Sequence, residues 1–501
     1  MTPGAPRAAP ALELLVVALL AAAYLAFCNF RDGAFIWSLS PQEGGIWLDE
    51  AVRTLHGERI YRDFFEFVAP GNVFLVAAFL AAFGHGTAAV GTLVVATGTI
   101  ATVLVHAVGA HLLPLAWRAS ATALFAIYAY QPYSPLNHKW PTLVLCLAAL
   151  LAVFQSRSPS RCAAAGAALA AATLCTQDMG AAAAAGLALG LWLLRARASL
   201  LPLATFGLAY VVTLAVSLAA LAAYAAPASL AYDLVGFASR QYGNAVKFTF
   251  DLGEPHGAAR TFTVFALSVT GLVGLVRLVR RTWIAPSPAV LLAGCLGAAL
   301  LLVGSWARPI EPVGLGVRAM PLMLVGLVFL CDALMPRARV AVLVFLAATL
   351  APTAVVQLAH AQALRPLVRG EHRAGALWSP VPMEHVTWLE RNATPGETVF
   401  LFPYLGGFAF LSDTRNPVAY PMVVDRDFTT AEQMQAAGAQ LARACPAVGL
   451  WDHARLADPI ERSSLRPLYL DVQRHYAGQG RSPDGVERFT RRAGEVRCAG
   501  N

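Results

Sequence analysis

The sequence predicts an all-α polytopic membrane domain of about eleven transmembrane helices, followed by a small C-terminal α/β domain. Three observations lead there. Hydrophobic residues make up 57% of the 501 and charged residues only 13%, a balance foreign to soluble enzymes. Apolar runs of helical length succeed one another as far as Gln357. Beyond that point the runs stop and charges become frequent, which divides the chain into residues 1–360 and 361–501.

The first element is the apolar run 11–30, preceded by Arg7 and with Glu13 near its start. It is too long for a signal-peptide core and lacks a small-residue cleavage site. It therefore reads as an anchoring helix with a cytoplasmic N-terminus. The first outer loop, 31–87, holds Asp49, Glu50, Arg53, His56, Glu58, Arg59, Arg62, Asp63 and Glu66 among aromatic residues. If Trp47 to Gly57 is helical, Asp49, Arg53 and His56 share one side, giving an interfacial helix with an exposed acidic face. An Asp49–Arg53 ion pair accounts for the same residues without any chemistry. Residues 68–84 are apolar, but at about 17 residues they sit at the short limit for a span.

Arginine placement decides whether 68–84 crosses. The further spans fall near 88–112, 119–133, 140–155, 162–175, 179–194, 200–223, 261–279, 288–306, 316–335 and 340–358. If 68–84 dips in and returns, the loops with Arg118, Arg157 and Arg161, Arg195 and Arg197, Arg277, Arg280 and Arg281, and Arg337 and Arg339 all face inward. That satisfies the positive-inside rule, whereas a crossing would put all five outside. The outer loops are then 131–140 with His138 and Lys139, 176–180 with Asp178, 224–260 with Arg240, Lys247, Glu254 and His256, and 305–320 with Arg308, Glu311 and Arg318. Ionisable groups at this depth are costly and tend to be functional, although snorkelling explains each one singly. Asp178 lies between predicted helices of about 14 and 16 residues, short enough for its loop to sink toward the Asp49 helix.

The net charge of +8 is nearly all arginine, with lysine only at 139 and 247. It marks topology and gives no reason to expect nucleic acid as a partner. Cys28, Cys146, Cys162, Cys175, Cys295 and Cys331 lie in or beside apolar runs and read as small hydrophobes, while Cys445 and Cys498 are free to pair in the tail. In the tail, Thr398–Pro403, Gly407–Leu411 and Ala447–Trp451 read as strands, Thr430–Arg443 as an amphipathic helix, and PYLGGF as a turn. No dinucleotide or Walker spacing is present, so no nucleotide cofactor is expected. Zinc-ligand and nucleophile-elbow spacings are missing too.

An acidic pair facing basic and imidazole groups suits group transfer from a lipid phosphate. A tuned carboxylate takes the acceptor's proton, and positive charge or a metal ion holds the leaving phosphate. A multi-spanning transporter or lipid flippase is the alternative. It would call for an inverted repeat and mid-membrane charges, and the sequence offers neither. An envelope scaffold would leave Asp49 and Glu50 without a role.

These residues resemble the integral-membrane glycosyltransferases of the GT-C superfamily, in the bacterial branch of protein O-mannosyltransferase-like and lipid A aminoarabinose-transferase-like proteins. The resemblance rests on Asp49-Glu50, then Tyr61-Arg62-Asp63 and Ala69-Pro70-Gly71 before a short interfacial helix. His138-Lys139, Thr176-Gln177-Asp178 and the tail stretches TPGETVFLFP and GFAFLSDTRNP complete it. It implies Asp49 as catalytic base with Glu50 as its neighbour, and His138, Lys139 and Arg318 near the donor phosphate. Arg53 and Asp178 join the expected substrate-binding set. A divalent ion, magnesium or manganese, would fall to Glu50 and His138, although the carboxylate that relatives often place at the second position is missing. The implied donor is a sugar on a polyprenyl phosphate, transferred with inversion to a hydroxyl of a protein, lipid or polysaccharide. The expected location is the cytoplasmic membrane, with the N-terminus inside and the tail domain outside.

Overall fold

A computed structural model describes residues 9–37, 43–133, 136–194, 200–237, 239–240, 255–280, 287–307, 312–364, 367–380, 383–403, 405–425, 428–456 and 458–492. Arg7, Arg195, Arg197, Lys247, Glu254, Arg281, Arg308, Glu311 and Cys498, and the side chain of His256, lie outside them.

Each of the eleven predicted spans is helical. They are α1 (Ala11–Asn29), α4 (Thr87–Ala110), α5 (Leu115–Leu124, continued by a π-helical turn Phe125–Tyr130), α6 (Lys139–Gln155), α7 (Pro159–Cys175), α8 (Gln177–Leu194), α9 (Leu201–Tyr224), α11 (Pro255–Val279), α12 (Pro288–Ala307), α13 (Pro312–Ala333) and α14 (Pro336–Ala359). Between them lie α2 (Glu43–Leu55), α3 (Gly71–Phe83) and the short α10 (Pro227–Ala231), which runs into a π-helical turn at Tyr232–Phe237. Seven of the described helices, α1, α4, α8, α9, α11, α13 and α14, are long and apolar enough to cross a membrane. The chain is a multi-pass membrane protein.

Starts and crossings have local causes. Ser158 caps α7, accepting from the Arg161 amide, with Pro159 at the first helical position. Where α11 meets α13, a Cβ on Gly271 would stand 2.0 Å from the Leu322 carbonyl oxygen and one on Gly326 2.3 Å from that of Leu267. Small residues let these backbones touch, as helices within lipid require.

The short α3 is held at both ends by the tail. At 13 residues it is about 20 Å long, less than the hydrocarbon core. Its approach is pinned by the Phe65 amide donating to Ala419, and its exit by the Thr87 amide donating to Ala374. Both acceptors belong to the tail. At the opposite end of α1, Glu13 bonds His106 (2.7 Å) and Arg118 (2.6 Å), which sets the Arg118 loop beside the N-terminal end. The far end of α1 runs into β1 (Phe30–Arg31) and β2 (Ala34–Ile36), which join a tail sheet. Both flanks of α3 therefore lie against the tail, and the Arg118 loop lies at the other end of α1.

The tail contributes β3 (Val368–His372), β4 (Gly375–Ser379), α15 (Glu384–Asn392), β5 (Phe400–Phe402), α16 (Gly406–Ser412), α17 (Ala431–Ala444), β6 (Val448–Asp452), α18 (Arg466–His475), β7 (Tyr476–Arg481) and β8 (Val486–Arg491). One sheet has the order β1-β2-β4-β3, with β2 and β4 parallel, so the first loop supplies half of it. The other is β5-β6-β8-β7, parallel only between β5 and β6. Helix α17 begins with a full capping box, Thr430 with Gln433.

Two tail expectations need correction. Gly407–Leu411 is helical, and the two glycines of PYLGGF open that helix instead of forming a turn. The reason is tertiary. A Cβ on Gly45 would lie 2.4 Å from the Gly407 amide nitrogen, and one on Gly406 would lie 3.1 Å from the Asp49 Cβ. The glycines let α16 lie directly on α2, a contact no local pattern reveals. Six cysteines (28, 146, 162, 175, 295 and 331) are free and buried, as expected, and Cys445 is disulfide-bonded.

Candidate active site

Helix α2 carries the first half of the site, and its setting corrects the expected one. Its acidic side is covered by α16 and the strand-like stretch near Val418, so Asp49 (4% exposed), Glu50 (1%) and Arg53 (6%) are buried. Only His56 on that side stays exposed. The Asp49–Arg53 ion pair does not form. Arg53 binds Glu58 Oε2 through Nε and Nη2, both at 2.8 Å, donates to the Val418 carbonyl at 2.9 Å and lies over the Phe64 ring. Its visible work is to tie the first loop to the tail.

Asp49 is left without a hydrogen bond or ion pair among the described residues. Burial raises its pKa to about 6, with Arg53 opposing the rise and Glu58 adding to it. Glu50 differs. It shares a side-chain hydrogen bond with the buried Glu66, and burial together with that partner pushes its pKa well up. Two hydrogen-bonded carboxyl groups in a dry site hold a proton between them. Glu66 in turn accepts from the Val68 amide at 2.6 Å.

A third acid completes this group. Asp233, in the turn after α10, is 5% exposed, and its pKa is pushed up to about 8 by burial and by Glu66. The sequence reading passed over it. The available signal was its isolation, for it is the one charged residue between Arg197 and Arg240. Tyr61 closes the cluster with a left-handed backbone (φ 66°) and a hydroxyl bonded to the Val68 carbonyl at 2.6 Å. Such a conformation costs a non-glycine residue about 1 kcal/mol or more and persists because the buried side chain fixes it.

The second half comes from helix ends. His138 and Lys139 stand at the start of α6, 7% and 4% exposed, with the Lys139 amide bonded to Asn137. Thr142 and Thr176 hydrogen-bond each other and the His138 carbonyl, locking the start of α6 against the start of α8. The expected 176–180 loop has shrunk to Thr176, and Asp178 lies in the first turn of α8. Its carboxylate meets Arg318 Nη2 at 3.4 Å, and Arg318 is 2% exposed within α13.

The halves touch in two places. The Trp47 ring of α2 packs edge-on against His138, with centroids 5.1 Å apart. Gln177 takes the Ala69 amide (3.1 Å) and donates to the Phe67 carbonyl (2.8 Å). The predicted residues therefore assemble around one junction between α2, the tops of α6, α8 and α13, and the tail. Among the described residues no group of three His, Cys, Asp or Glu side chains converges as metal ligands.

The chain superposes on ArnT from Cupriavidus metallidurans bound to undecaprenyl phosphate with a TM-score of 0.65, at 13% identity, covering 97% of this chain and 99% of that one. It has the GT-C fold. The apo state of the same ArnT gives a TM-score of 0.63 at 13% identity, covering 96% of this chain and 97% of that one. The mycobacterial arabinofuranosyltransferase AftD gives 0.51 at 15% identity, covering 97% of this chain but 40% of AftD. No family model matches the sequence, and no curated protein matches it. At such identities the GT-C likeness concerns the fold, and the chemistry has to be argued from the site.

Proposed function

We propose that this protein is a glycosyltransferase that moves a sugar from a polyprenyl-phosphate carrier to a hydroxyl acceptor, with Asp49 as general base. The observation that carries this reading is the isolation of Asp49. It is a buried carboxylate without a hydrogen bond among the described residues, its pKa raised to about 6 by burial against the pull of the buried Arg53. The ArnT structure that binds undecaprenyl phosphate supports the donor class. The junction under the tail domain corresponds to the outer face of the cytoplasmic membrane, on the topology that the arginine loops indicate.

In the step itself, the acceptor oxygen attacks the anomeric carbon as the bond from that carbon to the phosphate oxygen breaks. Configuration inverts, polyprenyl phosphate leaves, and the acceptor proton passes to Asp49. Lys139 and Arg318 would meet the charge growing on the leaving phosphate. Asp178 holds Arg318 in place and tempers its charge. Glu50, bonded to Glu66, would fix the orientation of α2 instead of taking the proton.

The test is donor turnover in proteoliposomes supplied with polyprenyl-phosphate sugars, comparing wild type with Asp49→Asn. Wild type should consume one donor, and a folded Asp49→Asn protein should be slower by about 10²–10⁴-fold. Equal rates, or no donor consumed by wild type, would overturn the proposal and favour transport.

A further inference from the structure

A cavity of about 750 Å³ opens between the first loop, the turn after α10 and the tail domain. Its walls include Arg62, Asp63, Tyr232, Asp233, Tyr420 and Glu432. The volume is that of a ligand site. One of its most buried polar groups is Asp233, 95% buried, which no hydrogen bond or ion pair reaches among the described residues. A carboxyl group in that position has lost water and gained no partner, a deficit that a ligand hydroxyl would make good.

We propose that this groove binds the acceptor, and that the acceptor is an uncharged, hydroxyl-rich saccharide. The inference rests on the glycosyltransferase reading for the word acceptor, but the groove's chemistry stands apart from it. Tyr420 is half-buried and Tyr232 is 40% exposed, so each offers part of a ring face to the C–H surface of a sugar. Asp233, Asp63 and the tyrosine hydroxyls supply bonds to sugar hydroxyls. Charge argues against a phosphorylated ligand. The one arginine in the lining, Arg62, is already 3.6 Å from Asp63, and Glu432 adds further negative charge.

The groove's acid also borders the carboxylates of α2. Asp233 acts electrostatically on Glu66, Glu66 is hydrogen-bonded to Glu50, and Glu50 adjoins Asp49 on α2.

The experiment uses the full chain in nanodiscs, exposed to arrays of neutral oligosaccharides, their phosphate esters, and serine- and threonine-containing peptides. Wild type should retain neutral oligosaccharides. Tyr420→Ala and Asp233→Leu should each weaken retention at least tenfold, while Tyr420→Phe and Asp233→Asn, which keep the ring face or a hydrogen-bonding end, should keep most of it. Failure to retain any neutral oligosaccharide at millimolar concentration, tighter retention of phosphate esters or peptides, or indifference to Tyr420→Ala would overturn the proposal. Donor turnover is read on the same preparations. Donor consumption without saccharide binding sinks the groove alone, whereas saccharide binding without donor consumption sinks the transferase reading alone.

Discussion

The carboxylate cluster on α2 and the cation cluster at the helix ends meet under one domain but are built in opposite ways. Arg318 and Lys139 sit on long helices whose positions are fixed by the membrane domain, and Arg318 is neutralised by an opposite charge, Asp178. Asp49, Glu50, Glu66 and Asp233 sit on a short helix, a loop and a turn that the tail holds in place. There like charges crowd together, and burial with that crowding raises the pKa values of Glu50 and Asp233. A buried cation keeps its charge by pairing, whereas a crowded carboxylate surrenders its charge. Asp49 differs within its own cluster, since no carboxyl group is hydrogen-bonded to it among the described residues and burial raises its pKa only to about 6.

The strongest way to break this contrast is to remove the cation. Arg318→Gln should lower donor turnover by about 10²–10³-fold, the loss usual when one preorganised charge-stabilising donor is taken away. Initial rates at saturating donor check it, and an unchanged rate would confine Arg318 to a structural role. Asp178→Leu attacks the same pair from the other side. It leaves a buried guanidinium without its carboxylate and should cost about 3–5 kcal/mol of stability, read as a lower melting temperature in detergent. On the carboxylate side, Gly406→Val forces a side chain between α16 and α2. Overpacking there should cost about 1–3 kcal/mol and slow turnover, because Asp49 moves with its helix. The smallest effect is a control at a distance. Ser158→Ala removes the α7 cap and should cost about 1 kcal/mol with turnover unchanged.

The same contrast explains what could be read from the sequence. The membrane helices announce themselves as apolar runs, and the cations at their ends inherit a position from the helix that carries them. His138, Lys139, Asp178 and Arg318 were therefore legible as one group. The burial of Asp49 was not, because the element that covers it lies some 350 residues further on. Residues 406–411 failed for a related reason: GGFAFL is too short for periodicity to separate strand from helix, and packing against Gly45 makes the choice. Asp233 stands out in the sequence only by its isolation, and its place beside Glu66 comes from the turn after α10.

The pH dependence of donor turnover tests the central claim most directly. With the Asp49 pKa raised to about 6, the base is ionised above that pH and protonated below it. Wild-type turnover should be level above about pH 7 and fall about tenfold per unit below pH 6, and the residual turnover of Asp49→Asn should lack that limb. A wild-type profile that stays level down to pH 4.5, or an Asp49→Asn protein that keeps the same limb, would contradict the assignment of Asp49 as the base.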